Sequence, residues 1–233
     1  MDKLKRREFL SRVKDFAIVI LAPLMAVKEA VASLFPTRTV EKKTFVFDAT
    51  SGEVVWTDKN IREKYYLKIE GMVEKPLQLS YDELRNLKLD TQVSDFHCVE
   101  GWSVRDVRWS GFRFDDILKL VKPLNSAKYV TFHALGETGM KPRGKSHYVE
   151  SFELDSLLDP QQQILMTLDK DGKPLSQNRG APLRIIAPYR LAYKSIKFVH
   201  RIEFTDKRQL GWWTLASSIY SWEAKVSRSR LRK

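Results

Sequence analysis

One cysteine, Cys98, serves the whole chain of 233 residues. That scarcity excludes an internal disulfide, and it excludes haem attachment through Cys-x-x-Cys-His, which needs two thiols. Excess charge is also missing where nucleic acid would need it. The formal net charge is +12, yet residues 1–43 hold ten Lys/Arg against five Asp/Glu, and residues 225–233 hold five against none. Residues 44–224 keep 26 basic and 24 acidic side chains, a nearly neutral body with no basic excess to track a phosphate backbone. Nucleic acid is not an expected partner. No repeat, low-complexity tract or linker interrupts residues 44–224. The length and a 43% hydrophobic content support one good-sized core and leave no room for a second full domain.

Long apolar runs are absent with one exception. Phe16 to Val27 is uncharged, long enough for a signal h-region but shorter than a membrane span. Before it, Lys5-Arg6-Arg7-Glu8-Phe9-Leu10-Ser11 has the paired arginines and Phe-Leu of a twin-arginine export signal. Ala30-Val31-Ala32 offers a small-residue cleavage site, with Lys28 and Glu29 standing before it. Uncleaved, the segment would anchor the protein; an ordinary amphipathic helix is the plainer alternative. The expected organisation is a leader or anchor over 1–36, one domain over 37–224 and a basic tail over 225–233. The expected location is the periplasm or the outer face of the cytoplasmic membrane, where a single thiol suits an oxidising compartment.

What the body does contain is short strands interleaved with one- or two-turn helices. Thr44–Phe47 and Glu53–Trp56 flank a turn at Thr50-Ser51-Gly52. Further strands are expected over Tyr65–Ile69, Leu77–Leu79, Val93–Phe96, Tyr129–Ala134, Ile164–Leu168, Pro182–Pro188 and Lys197–Phe204. Ser80 with Glu83 predicts a capping box for a helix over Tyr81–Leu87. Ile117, Leu118 and Val121 share one face of a helix over Phe114–Val121, ended by Pro123. Another short helix is expected over Phe152–Leu158, and turns at Gly101 and Ser110-Gly111. Without a regular βαβ beat, the pattern predicts an α+β fold with a mixed sheet, in a single domain.

Two segments carry chemistry. In the first, His97-Cys98-Val99-Glu100-Gly101-Trp102 crowds an imidazole, a carboxylate and an indole around the lone thiol at a strand end. A thiolate is a soft ligand for a metal centre, whereas a buried free cysteine also serves as a small core hydrophobe. The second runs from Gln177 to Lys197. Arg184 sits in an otherwise apolar strand and needs an anion or another partner if buried. Lys194, Ser195 and Lys197 place two ammonium groups and a hydroxyl within four residues, a set suited to a phosphate, though two surface lysines and a structural arginine would read the same way.

Together these motifs resemble the sulfite-oxidase-fold molybdopterin oxidoreductases. His97-Cys98-Val99-Glu100-Gly101-Trp102-Ser103, followed by Trp109-Ser110-Gly111, is similar to the family's molybdenum-binding segment. Gly180-Ala181-Pro182-Leu183-Arg184 and Lys194-Ser195-Ile196-Lys197 are similar to its pterin-phosphate segment. The resemblance covers roughly residues 60–205 and is nearest a periplasmic reductase group with a twin-arginine leader. It implies Cys98 as the molybdenum ligand and Glu100 beside the metal as a catalytic residue. It implies that Arg184, Ser195, Ile196 and Lys197 hold the molybdopterin, with Lys194 alongside. Where the family has a threonine near Ala134, His133 or the backbone of Ala134 would stand in. Arg179 takes the place of an asparagine, and Leu191-Ala192-Tyr193 replaces a glycine-bearing turn. The implied reaction is two-electron oxygen-atom transfer, reducing a small-molecule or protein-bound S- or N-oxide. Electrons would come from a separate redox partner, such as a membrane haem protein, to a monomeric enzyme. Sulfite oxidation on the same fold and a cofactor-less binding module are the alternatives.

Overall fold

The computed structural model describes residues 40–231, which build three β-sheets linked by short helices. The first sheet is an antiparallel meander of β1 (Phe45–Asp48), β2 (Glu53–Trp56) and β3 (Ile61–Lys64). Alternation in β1 points Phe45 and Phe47 into the core, where Phe45 meets Phe198 edge-on with ring centroids 5.3 Å apart. β3 lacked a sequence signal, because Ile61-Arg62-Glu63-Lys64 is exposed throughout and forms only by pairing with β2.

The second sheet holds β6 (Asp90–His97), β7 (Ser103–Phe112), β10 (Leu165–Lys170), β11 (Lys173–Pro174) and β12 (Arg184–Ile186). Its strand order is β11-β10-β7-β6, with β12 also on β10. Ser110 and Gly111, expected to turn, lie inside β7. Gly111 is opposite Thr167, and an added Cβ would collide with the Met166 carbonyl oxygen. Glycine here permits close strand approach instead of a bend.

The third sheet has the order β5-β4-β13-β8-β9, made of β5 (Leu77–Ser80), β4 (Tyr66–Gly71), β13 (Val199–Thr205), β8 (Tyr129–Ala134) and β9 (Val149–Glu153). β4 and β13 run parallel and the other pairs antiparallel, so the sheet is mixed as expected. Helix α1 (Tyr81–Arg85) starts with the predicted box: Glu83 N–H donates to Ser80 Oγ and Ser80 N–H to Glu83 Oε2. Helix α2 (Phe114–Val121) buries Phe114, Ile117 and Val121, and stacks Phe114 on Phe204 of β13. Helix α3 (Leu154–Leu158) starts two residues later than expected, because Phe152 stays in β9 with its ring against Phe132. A last helix, α4 (Trp212–Ala216), buries Trp212.

Residues 225–231 do not hang free as a tail beyond the domain. Leu191 N–H donates to Ala224 O, Val226 N–H to Tyr189 O, and Val226 is buried. The leader assignment over 1–36 lies outside the described residues. Among the described residues, no helix is long and apolar enough to cross a membrane.

Candidate functional site

Cys98 stands where β6 gives way to β7. Its N–H donates to Trp102 O at 2.9 Å, and Gly101 N–H returns to Cys98 O at 3.2 Å, closing a tight turn. Just before it, His97 pairs with Ser103, and His97 Nδ1 is 2.7 Å from Ser103 Oγ. The half-buried thiol faces Glu100 Oε2 at 4.0 Å, and that oxygen also accepts from Trp102 Nε1 at 3.2 Å. Burial pushes the Cys98 thiol up, and the Glu100 charge adds to this; backbone N–H groups of Glu100 and Val99 and the charge of Arg230 oppose it.

Arg230 reaches this turn from the far end of the sequence. Its Nη1 donates to Cys98 O at 2.9 Å, and its Nη2 to Trp102 O at 2.7 Å and Ser103 Oγ at 3.0 Å.

The cations assemble around Gly180. Arg184 is buried on β12; its Nη1 donates to Arg179 O at 2.8 Å and its Nη2 to Ser195 O at 3.2 Å. Its Nε is buried with no partner. Burial, then the charge of Arg179, pulls this guanidinium down to about 9. Lys197 Nζ donates to Asn178 O at 3.0 Å, and burial followed by the Arg184 charge brings it down to about 7, with Glu41 acting the other way. Gly180, at φ 105°, leaves the space: a Cβ there would meet Lys197 Cγ at 2.8 Å. Ser195 is tied down by Ala187 N–H to its Oγ at 3.2 Å, and Ile196 O accepts from Ile185 N–H. Thus Arg179, Arg184, Ser195, Ile196 and Lys197 do come together. Ala134 joins them through the backbone: it pairs with Val199, and Leu135 N–H donates to Phe198 O.

Lys194 and His133 turn elsewhere. The Lys194 ammonium is buried against Glu150 Oε2 at 3.1 Å, near the rings of Phe152 and Trp222, on the wall of a cavity of about 80 Å³. Burial lifts Glu150 to about 7 against the pull of Lys194. Adjacent strand residues point to opposite faces, so His133 leaves the Ala134 side. It lies 2.9 Å from His147 Nε2, 2.9 Å from Arg201 Nη2 and 3.1 Å from Glu203 Oε2. Burial, with Arg201 next, holds it far below the usual imidazole range, hence neutral.

Three residues escaped the sequence reading. Arg230 sat in a run of basic residues with nothing local to mark it. Glu150 carried no pattern. Gln177 opened the second motif unassigned; its Oε1 accepts from Phe47 N–H at 2.9 Å and its Nε2 donates to Phe45 O at 3.2 Å, tying the cation loop to β1.

The donor set fits a metal-bearing anionic cofactor. Among the described residues no group of three His, Cys, Asp or Glu can hold a metal ion, and the half-buried Cys98 thiol is of the soft donor type that a metal in such a cofactor would accept. Clustered cations with an unmatched guanidinium N–H suit its phosphate.

Comparisons with known proteins agree. A family model for the oxidoreductase molybdopterin binding domain matches residues 53–213. The catalytic subunit MsrP of protein-methionine-sulfoxide reductase from Xanthomonas campestris pv. campestris is 32% identical over 209 residues, and its counterpart from Xanthomonas axonopodis pv. citri matches to the same extent. Each alignment covers 82% of this chain and 64% of the relative, so the chain spans somewhat under two thirds of the length of these relatives. The sulfane dehydrogenase SoxCD from Paracoccus pantotrophus shares the fold, with a TM-score of 0.52 and 19% identity over 61% of this chain and 38% of that one. The chain belongs to the family of oxidoreductases built on the molybdopterin binding domain, and its cofactor is molybdopterin with molybdenum.

Proposed function

We propose that this chain is the catalytic part of an exported reductase of S- or N-oxides, protein-bound methionine sulfoxide included. The observation that carries the reading is the Cys98 turn, a lone thiol with Glu100 beside it, in a chain related to two named sulfoxide reductase subunits. When bound, the cofactor supplies two-electron oxygen-atom transfer. Cys98 would give one thiolate to the metal. Arg184, Lys197, Arg179 and the backbone around Ser195 and Ile196 would hold the pterin and its phosphate, with the Ala134 backbone beside them. His133 and Lys194 serve the framework in this reading, because their polar atoms are turned to His147, Glu203 and Glu150.

Glu100 argues for direction. Sulfite is a dianion near neutral pH, and a carboxylate at about 4 Å repels each unit charge by roughly 1–4 kcal/mol between water and a protein surface. A neutral sulfoxide escapes that cost. Arg179, half-buried near Lys197, is the cation that favours the sulfite alternative. Electrons would arrive from a separate redox protein at the membrane, and the leader would export the monomer folded and loaded. Assays of viologen-driven sulfoxide reduction against ferricyanide-coupled sulfite oxidation test the reading. A higher kcat/KM for the sulfoxide is expected; a higher value for sulfite would overturn it.

A further inference from the structure

We infer that Arg230 is a positioning residue for Cys98, clamping the turn that presents the thiol. The inference rests on reading Cys98 as the metal ligand. Its guanidinium engages both ends of one turn: Cys98 O, which already accepts Gly101 N–H, and Trp102 O, which accepts Cys98 N–H. A third bond, to Ser103 Oγ, extends the clamp to His97, whose Nδ1 shares that hydroxyl. A planar fork of donors can serve two convergent carbonyls and a hydroxyl at once, which a lysine ammonium on a flexible stem does less well.

The turn needs such a restraint. Val99, Glu100 and Gly101 are exposed, so little packing fixes them. A ligand displaced by about an ångström loses productive geometry. The arm carrying Arg230 is fixed by its own contacts, through Ala224 O to Leu191 N–H, the Arg190–Lys225 bridge and buried Val226, and Leu191 in turn bridges His97 beside the turn. One short 3-10 turn, Arg228–Arg230, then carries the side chain onto the hairpin.

The test is amide hydrogen exchange and the Mo(V) paramagnetic resonance signal, measured on full-length wild type, Arg230→Ala and Arg230→Lys. In the alanine variant, exchange over residues 97–103 should speed about tenfold or more, with β8 and β13 unchanged. Its Mo(V) signal should become heterogeneous at unaltered molybdenum content, and the lysine variant should recover part of both. Wild-type exchange in the alanine variant would overturn the clamp, as would an unaltered Mo(V) line shape. If the alanine variant fails to fold, Arg230→Gln, which keeps an amide donor, carries the same measurements. Wild type free of molybdenum from a competent host would instead sink the ligand assignment of Cys98, and exchange reads the turn even then.

Discussion

The Arg184 guanidinium lies over the Phe96 ring, 5.4 Å from its centroid, and Phe96 is two residues before Cys98. Trp109 of β7 flanks the same cation at 5.3 Å. The group that would face the cofactor phosphate is thereby packed against the two strands that present the thiol. Cation and thiol form one frame, and changes to either end can be read separately.

Cys98→Ser should leave the fold intact, since the residue is half-buried and the replacement is close in shape. Turnover should fall by more than about a hundredfold, because a harder oxygen replaces the soft sulfur at the metal. Melting temperature, metal content and steady-state rate together check this; near-normal turnover rejects the ligand role.

Lys197 sits at about 7 where an ordinary lysine is near 10.5. Between those values the folded, unloaded chain has released a proton that an anion would restore, so cofactor loading should weaken as pH rises through about 7. Lys197→Ala should remove that dependence and lower bound pterin by about tenfold. Pterin fluorescence after acid release, for samples loaded at pH 6 and pH 9, gives the comparison. Equal content in variant and wild type places the phosphate elsewhere.

The Glu150–Lys194 pair is a stability element. Folded Glu150 titrates near 7, above the 4.5 of the unfolded chain, so the folded state binds more protons in between. This group therefore takes stability away as pH rises from about 4.5 to about 7. Glu150→Gln should flatten that fall in melting temperature. Lys194→Ala strands a buried carboxylate and should cost roughly 3–5 kcal/mol by denaturant titration at pH 8. A milder loss would show that water reaches the carboxylate.

Replacing Arg6 and Arg7 together by lysine should leave active, cofactor-loaded protein in the cytoplasm. Fractionation of cells expressing each form decides it, and undiminished periplasmic activity removes the export assignment.

Local rules made much of this readable from sequence. Phe114–Val121 has one apolar face, Ser80 and Glu83 cap each other, and Cys98, Arg184 and Lys197 fall inside two compact motifs. What stayed hidden depends on distant partners. Arg230 meets residues 127 to 132 positions away, and Lys194 is paired with Glu150, 44 positions back, instead of joining the cations around Gly180. Gly111 reads as a turn in sequence because glycine serves turns and tight strand contacts alike, and only the Met166 carbonyl opposite it tells the two apart.

The contact between Arg230 and the Cys98 turn also bears on timing. A chain is made from its N-terminus, and domains generally fold as units once enough of the chain is available. Cys98 leaves the ribosome long before residues 179–197, and those precede Arg230. A hairpin of β6 and β7 can close early, since its pairing is local. On the clamp inferred above, the restrained form of the Cys98 turn must wait for residue 230, and so arises later than the segments that carry Arg184 and Lys197.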